Sequence, residues 1–457
     1  MARSPFAKGF PEGNHFASYE EIDPELQDFL EAACLQLCEW FSLTEQVGPL
    51  PPVIKLPEVE PELYGISRNV LLADLQLIME GSYRPSHPGS LAHLDPPPLI
   101  ASIVGDLISA GINNNLLAEE LSPSLSRLER KLCKWFAKRL GMKTLAGGVA
   151  ASGGTLSNLM ALVVARKRAE LMNDPTAVIL ASEDAHVSIT KASRVMGLLE
   201  DSLILIPTNS KGEISIHHLE RKIELLKSEN RKCFAIVGTA GSTVQGAVDP
   251  LDQLAEISSR EGIWLHVDGS IGGVFGLIQS TSNIVKGIEA ANSITLNPQK
   301  LLGIAKTSSL LLVANQEDLI STFSTGLPYI EPAEIDSHGG ELGLQGTRSA
   351  EVLKLWLGIR QLGENGMKTL LEEALFRKEY LEEKLDRSKF NVISGPLHIL
   401  SCTPRDASIS QSKDWSFATR VKLLEHKFML SRPIHADRYY LKVVLGNPNT
   451  KIKDLER

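Results

Sequence analysis

Residues 263–300 read IWLHVDGSIGGVFGLIQSTSNIVKGIEAANSITLNPQK. Two apolar runs of strand length frame the stretch. The first ends on an acid, Asp268, and a Gly-Ser-Ile-Gly-Gly turn. The second runs into Asn297-Pro298 and then Lys300. Continuous apolar runs, as opposed to alternating ones, are what a sheet covered on both faces requires. Similar runs lie to either side: AVILAS (177–182), SLILIP (202–207), CFAIVG (233–238) and SSLLLV (308–313). Helical stretches such as HHLERKIELLKSE (217–229) and LDQLAEISSREG (251–262) separate several of them. Strands alternating with helices predict an α/β fold whose mostly parallel sheet is joined by right-handed crossovers.

Working outward, PELQDFLEAACLQLCEWFSL (24–43) carries apolar residues at helical spacing after an Asp-Pro start, and LPPVIKLPEVEP (50–61) is a proline-rich break. The stretch 348–388 is helical and charged; FNVISG (390–395), LHILSC (397–402) and YYLKVVLG (439–446) read as strands. The expected organisation is an N-terminal helical segment (1–85), a large domain (86–350) and a small α+β domain (351–457).

The chain has 457 residues, 43% of them hydrophobic and 22% charged, with a formal net charge of −8. That composition suits a globular protein with a large core. No block of Lys and Arg stands out, which argues against a nucleic-acid or anionic-membrane partner. The five cysteines are scattered and odd in number, as in a reducing compartment. With no apolar run of signal-peptide length in 1–19 and none long enough to span a bilayer, the expected location is cytoplasmic.

Several short motifs end strands or open helices. Lys300 is either a surface lysine on a turn or a desolvated amine, which burial would make nucleophilic. Asp268, at the carboxyl end of a buried strand, faces the crevice where open α/β sheets bind ligands. There it could hold a metal, a ribose or a protonated ring nitrogen, or simply cap the next turn. In ASGGTLSNLMALVVARKRA (151–169), Gly153, Gly154 and Thr155 open a helix, a place for an anion or for an ordinary N-cap. The spacing of a nucleotide P-loop is absent. His186 follows the run AVILAS and is either a ring-stacking imidazole or a helix-cap histidine. In VGTAGSTVQGAVDPL (237–251), Thr239 could reach a ligand, and Asp249-Pro250 is expected to start the next helix. One ligand with a phosphate, a ring and an aldehyde would use all of these residues in this order.

At these positions the chain resembles the group II pyridoxal 5′-phosphate (PLP)-dependent amino acid decarboxylases, which include glutamate, aromatic amino acid and 2,4-diaminobutyrate decarboxylases. ANSITLNPQKLLG (291–303) is similar to the family's lysine segment and HVDGSIGG (266–273) to its aspartate segment. GTAGSTVQGAVDPL (238–251), SGGTLSNLMAL (152–162) and LGLQGTRSAEVLKLW (342–356) resemble further family segments. AHLDPPPLIASIVGDLISAGINNN (92–115) most resembles the diaminobutyrate branch.

The resemblance implies a type I PLP fold and a homodimer with shared active sites, the N-terminal segment packing on the partner. It implies that Lys300 is the Schiff-base lysine, Asp268 the partner of the pyridinium nitrogen and His186 the ring-stacking histidine. Gly153, Gly154, Thr155 and Asn297 match phosphate-binding positions, and Thr239 lies near the ring. His93 and Lys442 match places near substrate carboxylates.

There are departures. The family histidine before the lysine is Gln299 here. Ser270 stands where the family has an alanine, which puts a hydroxyl behind the ring. Lys442 stands where the family has an arginine, keeping the charge without the bidentate fork. The family's proton-donating loop tyrosine falls near Ser337, where there is none; Tyr329 lies upstream and His338 is adjacent. The expected activity is decarboxylation of an L-amino acid, acidic or diaminobutyrate-like, to an amine and carbon dioxide. Two other outcomes stay open: another Cα reaction such as oxidative deamination, and a silent PLP-binding paralogue.

Overall fold

The computed structural model describes residues 16–328, 330–331 and 337–457. Its centre is a seven-stranded sheet of β1 (Gly147–Ala151), β2 (Ala177–Ser182), β3 (Leu203–Ile206), β4 (Lys232–Thr239), β5 (Trp264–Gly269), β6 (Ser293–Leu296) and β7 (Ser309–Val313). The strand order is β1-β7-β6-β5-β4-β2-β3. Only β7 runs antiparallel to its neighbours; the other pairings are parallel. The six apolar runs are thus six strands of one mostly parallel sheet.

Both faces are covered, which is why the runs are continuous rather than alternating. On one face Ile236, Leu265, Val267 and Ile294 pack with residues of the helices Pro123–Arg139, Ile216–Ser228 and Leu251–Glu261. On the other, Ile179, Ala235 and Val237 meet Leu162 and Ala165 of the helix Gly154–Arg168. Side chains of this kind, when fully buried, stabilise by roughly 1.5–3 kcal/mol each. Successive strand residues alternate faces. His266 and Asp268 therefore point away from Leu265 and Val267, toward the helix Gly154–Arg168.

The C-terminal part holds β8 (Phe390–Ser394), β9 (Ile399–Pro404), a short hairpin of β10 (Ile434–His435) and β11 (Arg438–Tyr439), and β12 (Leu441–Val444). Strands β12, β9 and β8 form an antiparallel sheet in that order. A long helix, Val352–Lys384, leads into it and breaks at Gly363, whose φ of 61° lies in the left-handed region.

At the other end, Asp23 caps the helix Pro24–Ser42 by accepting from the amides of Glu25 and Leu26. This helix lies against Arg68–Glu80; Trp40 Nε1 donates to the Met79 carbonyl and Gln36 Nε2 to that of Leu72. Neither helix buries a residue within the chain. Leu30, Leu35, Leu71, Leu75 and Ile78 are all exposed. Among the described residues no helix is long and apolar enough to cross a membrane.

The Asp249-Pro250 pair leads into the helix that begins at Leu251, as expected, with Pro250 at its N-cap in place of Asp249. The Asp249 carboxylate turns inward and accepts from the amides of Ile214 and Thr239, both at 2.7 Å. Burial pushes its pKa up to about 7.

Candidate active site

The carboxyl ends of β4, β5 and β6 lie in register: Thr239 pairs with Asp268, and Asp268 with Thr295. Just past β6, Asn297 and a single 3-10 turn, Pro298–Lys300, carry the lysine back over the sheet edge. Lys300 is thus also placed by a strand end, like its partners.

Asp268 is buried and held by two donors. Its Oδ1 accepts from the Ser270 amide at 3.1 Å, so it does cap the turn, while its Oδ2 accepts from Asn158 Nδ2 at 2.8 Å. Burial opposes its ionisation, yet Lys300, Ser270 and Asn158 together hold its pKa below the usual aspartate value. Burial pulls the Lys300 ammonium below the usual lysine value, while Asp268 and Asp95 act in the opposite sense. Burial also lowers His186, with Asp268 opposing and Lys300 reinforcing that shift. Lysine, aspartate and histidine therefore share one electrostatic neighbourhood.

A hydrogen-bonded chain that the motif reading missed connects them. Trp264 Nε1, which can only donate, gives its proton to Ser293 Oγ at 2.8 Å. Ser293 then spends its own proton on His266 Nδ1 at 2.9 Å. His266 is fully buried, and desolvation drops its pKa to about 4, so the ring is neutral. Its Nε2–H donates to Asn158 Oδ1 at 3.0 Å. The Asn158 amide then donates to Asp268 and to Ser188 Oγ, both at 2.8 Å. Ser188 donates to His186 Nδ1 at 2.8 Å, which leaves the His186 proton on Nε2. Asn158, Ser188 and His266 stand beside the motif residues in SGGTLSN, HVS and HVD, so proximity in sequence was the available signal.

The helix Gly154–Arg168 has no side-chain cap. Gly153 takes a φ of 107° with open space in front of its Cα, and a Cβ on Gly154 would stand 2.7 Å from Ser270 Oγ and 2.8 Å from Asn297 Nδ2. Free amides of an uncapped helix start, backed by polar groups, form an anion cradle. Thr155 lies in the same first turn. Thr239 Oγ1 is buried without a hydrogen-bond partner among the described residues, an orphaned group that a bound ligand would satisfy. Cradle, orphaned hydroxyl, buried amine and buried acid fit a phosphorylated aldehyde with a basic ring.

Of the two expected substrate residues, Lys442 on β12 is largely buried and donates to the Thr243 carbonyl at 3.3 Å. Burial and Lys300 lower its pKa, with Asp95 opposing. His93 is exposed and lines a narrow cleft with Asp95 and Lys300. Gln299 turns away to accept from the Ser308 amide. Ser337 and His338 are buried against another region: His338 Nδ1 accepts from the Glu119 amide at 3.2 Å, and its Nε2 meets the Glu331 carbonyl at 2.9 Å. Both ring nitrogens are thus engaged by backbone, which does not favour His338 as a proton donor. Tyr329 lies outside the described residues.

Comparison with known proteins agrees with this geometry. Residues 65–402 match the pyridoxal-dependent decarboxylase conserved domain. An aromatic-L-amino-acid decarboxylase of Bacillus atrophaeus is 29% identical over 380 residues, covering 81% of this chain and 79% of the relative. An L-2,4-diaminobutyrate decarboxylase of Rhizobium meliloti (strain 1021) is 28% identical over 416 residues, covering 88% and 82%. Among solved structures, Oryza sativa TDC with PLP and tryptamine superimposes with a TM-score of 0.89 at 19% identity, covering 96% and 97%. Mouse CSAD in apo form does so with 0.86 at 24%, covering 95% and 97%. The fold is the type I PLP fold, and the chain belongs to the pyridoxal-dependent decarboxylase family, as a PLP-dependent carboxy-lyase acting on an amino acid.

Proposed function

We propose that Lys300 carries the cofactor and that Asp268, His186 and the 153–155 helix start hold it for decarboxylation of a small, polar L-amino acid, acidic or diaminobutyrate-like. The observation that carries this reading is the Asp268 carboxylate, buried, ionised and tied to Asn158 beside a desolvated Lys300. PLP, when bound, supplies an electron sink for the pair left on Cα. The net reaction breaks the Cα–carboxylate bond, releases carbon dioxide and places one proton on Cα.

The residues divide the work. Lys300, with its lowered pKa, offers a neutral amine at a lower pH than a surface lysine would. Asp268, by its negative charge, would keep a proton on the ring nitrogen. His186, fixed by Ser188, would stack on the ring. Gly153, Gly154, Thr155 and Asn297 would hold the phosphate, and Ser270 and Thr239 would contact the ring. Lys442 and His93 receive the substrate, Lys442 by charge alone.

The long exposed apolar faces of the N-terminal helices support a homodimer with shared active sites, since a contiguous apolar surface of this kind marks an interface. The scattered cysteines, all free, support a cytoplasmic home. A screen of amino acids with the holoenzyme tests the reading. Amine and carbon dioxide in equal amounts support it; aldehyde, ammonia and peroxide would replace it with an oxidative outcome.

A further inference from the structure

We propose that Asp95 makes this enzyme select an amino acid whose short side chain ends in a cation, and makes it reject acidic side chains. The inference rests on the reading of Lys300 as the cofactor's attachment point.

Asp95 sits in the segment 90–98 that crosses the site. That segment is fixed at both ends: Leu91 N donates to the Met429 carbonyl at 3.1 Å, Val444 N to that of Leu91 at 2.8 Å, and Leu99 N to that of Gly303 at 2.7 Å. Asp95 and Lys300 line the same cleft. The Asp95 carboxylate acts on the charges of both Lys300 and Lys442. Its Oδ1 meets Lys306 Nζ at 2.5 Å.

The charges in this cleft can be counted. Lys300 belongs to the cofactor. Lys442 bonds only to a carbonyl and pairs with no carboxylate among the described residues. Lys442 stands beside the cleft, partly buried and within the field of Lys300 and Asp95, and the α-carboxylate of the substrate uses it. For a second, side-chain carboxylate the described lining residues of the cleft offer only His93 besides Lys300, and burial and Lys442 disfavour the charged form of that imidazole. The second carboxylate would meet Asp95 instead, a like charge in a partly desolvated cleft. A side-chain ammonium meets the opposite situation. It can replace Lys306 at Asp95, and Lys306 is half exposed, so it returns to water at little loss.

The test uses the holoenzyme and the Asp95→Asn variant, with two readouts. The first is kcat/KM for 2,4-diaminobutyrate, glutamate, aspartate and an aromatic amino acid. The wild type should favour the diamino acid by at least about a hundredfold over the acidic ones, and Asp95→Asn should lose most of that ratio. The second is binding without chemistry: titration of the cofactor's visible band with 1,3-diaminopropane and with 4-aminobutanoate. The diamine should bind more tightly to wild type, and the preference should collapse in Asp95→Asn. Preference for an acidic or aromatic substrate, or a diamine preference that survives in Asp95→Asn, overturns the proposal. If no amino acid is decarboxylated although the visible band is present, the functional reading has failed. The product titration then still decides the role of Asp95.

Discussion

The amide of Asn158 donates to Asp268 Oδ2 at 2.8 Å, tying the second turn of a helix to the end of a strand. The same amide accepts from a neutral His266 and donates toward the serine that orients His186. One side chain thus fixes Asp268 and, through Ser188, the imidazole of His186, the two groups proposed to hold the cofactor ring. Asn158→Leu keeps the volume and removes these bonds. A hydrogen bond to a charged group is worth about 1.5–3 kcal/mol, or one to two decades in cofactor affinity. PLP titration followed by visible absorbance should show that loss, with melting temperature of the apoenzyme little changed. Unaltered PLP affinity would remove Asn158 from the site.

His398 should make the protein acid-labile. It is fully buried beside Phe275, and neither ring nitrogen has a partner among the described residues. Burial drops its pKa to about 3 from an ordinary 6.5. The folded ring stays neutral while the unfolded one protonates, so stability is whole above pH 6.5 and is lost as pH falls toward 3. Each pH unit in that window costs roughly 1.4 kcal/mol. His398→Leu should unfold less readily than wild type at pH 5 and about equally at pH 8, by thermal melting. An identical pH slope in the two proteins contradicts this.

Glu129 and Arg348 form a bidentate pair at 2.5 and 2.6 Å with both side chains buried. It anchors the chain just before the long helix Val352–Lys384. Glu129→Ala leaves an unpaired guanidinium in the core and should cost about 3–5 kcal/mol in chemical denaturation. A change within about 0.5 kcal/mol, the usual effect of a surface substitution, would mean the pair is not needed.

The exposed helix residues Val104, Leu107 and Ile108 should be covered in solution. Light scattering is expected to give twice the 49.9 kDa of one chain. Ile108→Asp should shift the mass toward the monomer and lower activity with it. A wild-type monomer with full activity rules out shared sites.

Much of this architecture was legible because burial on both faces leaves unbroken apolar runs, and AVILAS at 177–182 is strand β2 residue for residue. Strand β1 was not legible. Its sequence is GGVAA, with Val149 as its only branched residue, and a Cβ on Gly148 would strike the Leu311 carbonyl at 2.3 Å. Lys300, Asp268 and His186 were legible as motif residues. Asn158 was not, since a polar residue inside a helix has no meaning until the sheet supplies Asp268 and His266. The Asp249-Pro250 pair reads correctly as a helix start, but the inward turn of Asp249 was not legible, since only the fold offers it two amides.

The central claim is that Lys300 carries the cofactor, and one measurement tests it directly. The holoenzyme is reduced with borohydride, digested, and its peptides weighed. The mass of reduced PLP should appear on Lys300 and on no other lysine, and Lys300→Ala should lack both that mass and the visible band. Cofactor mass on a different lysine, or a visible band that persists in Lys300→Ala, would contradict the account.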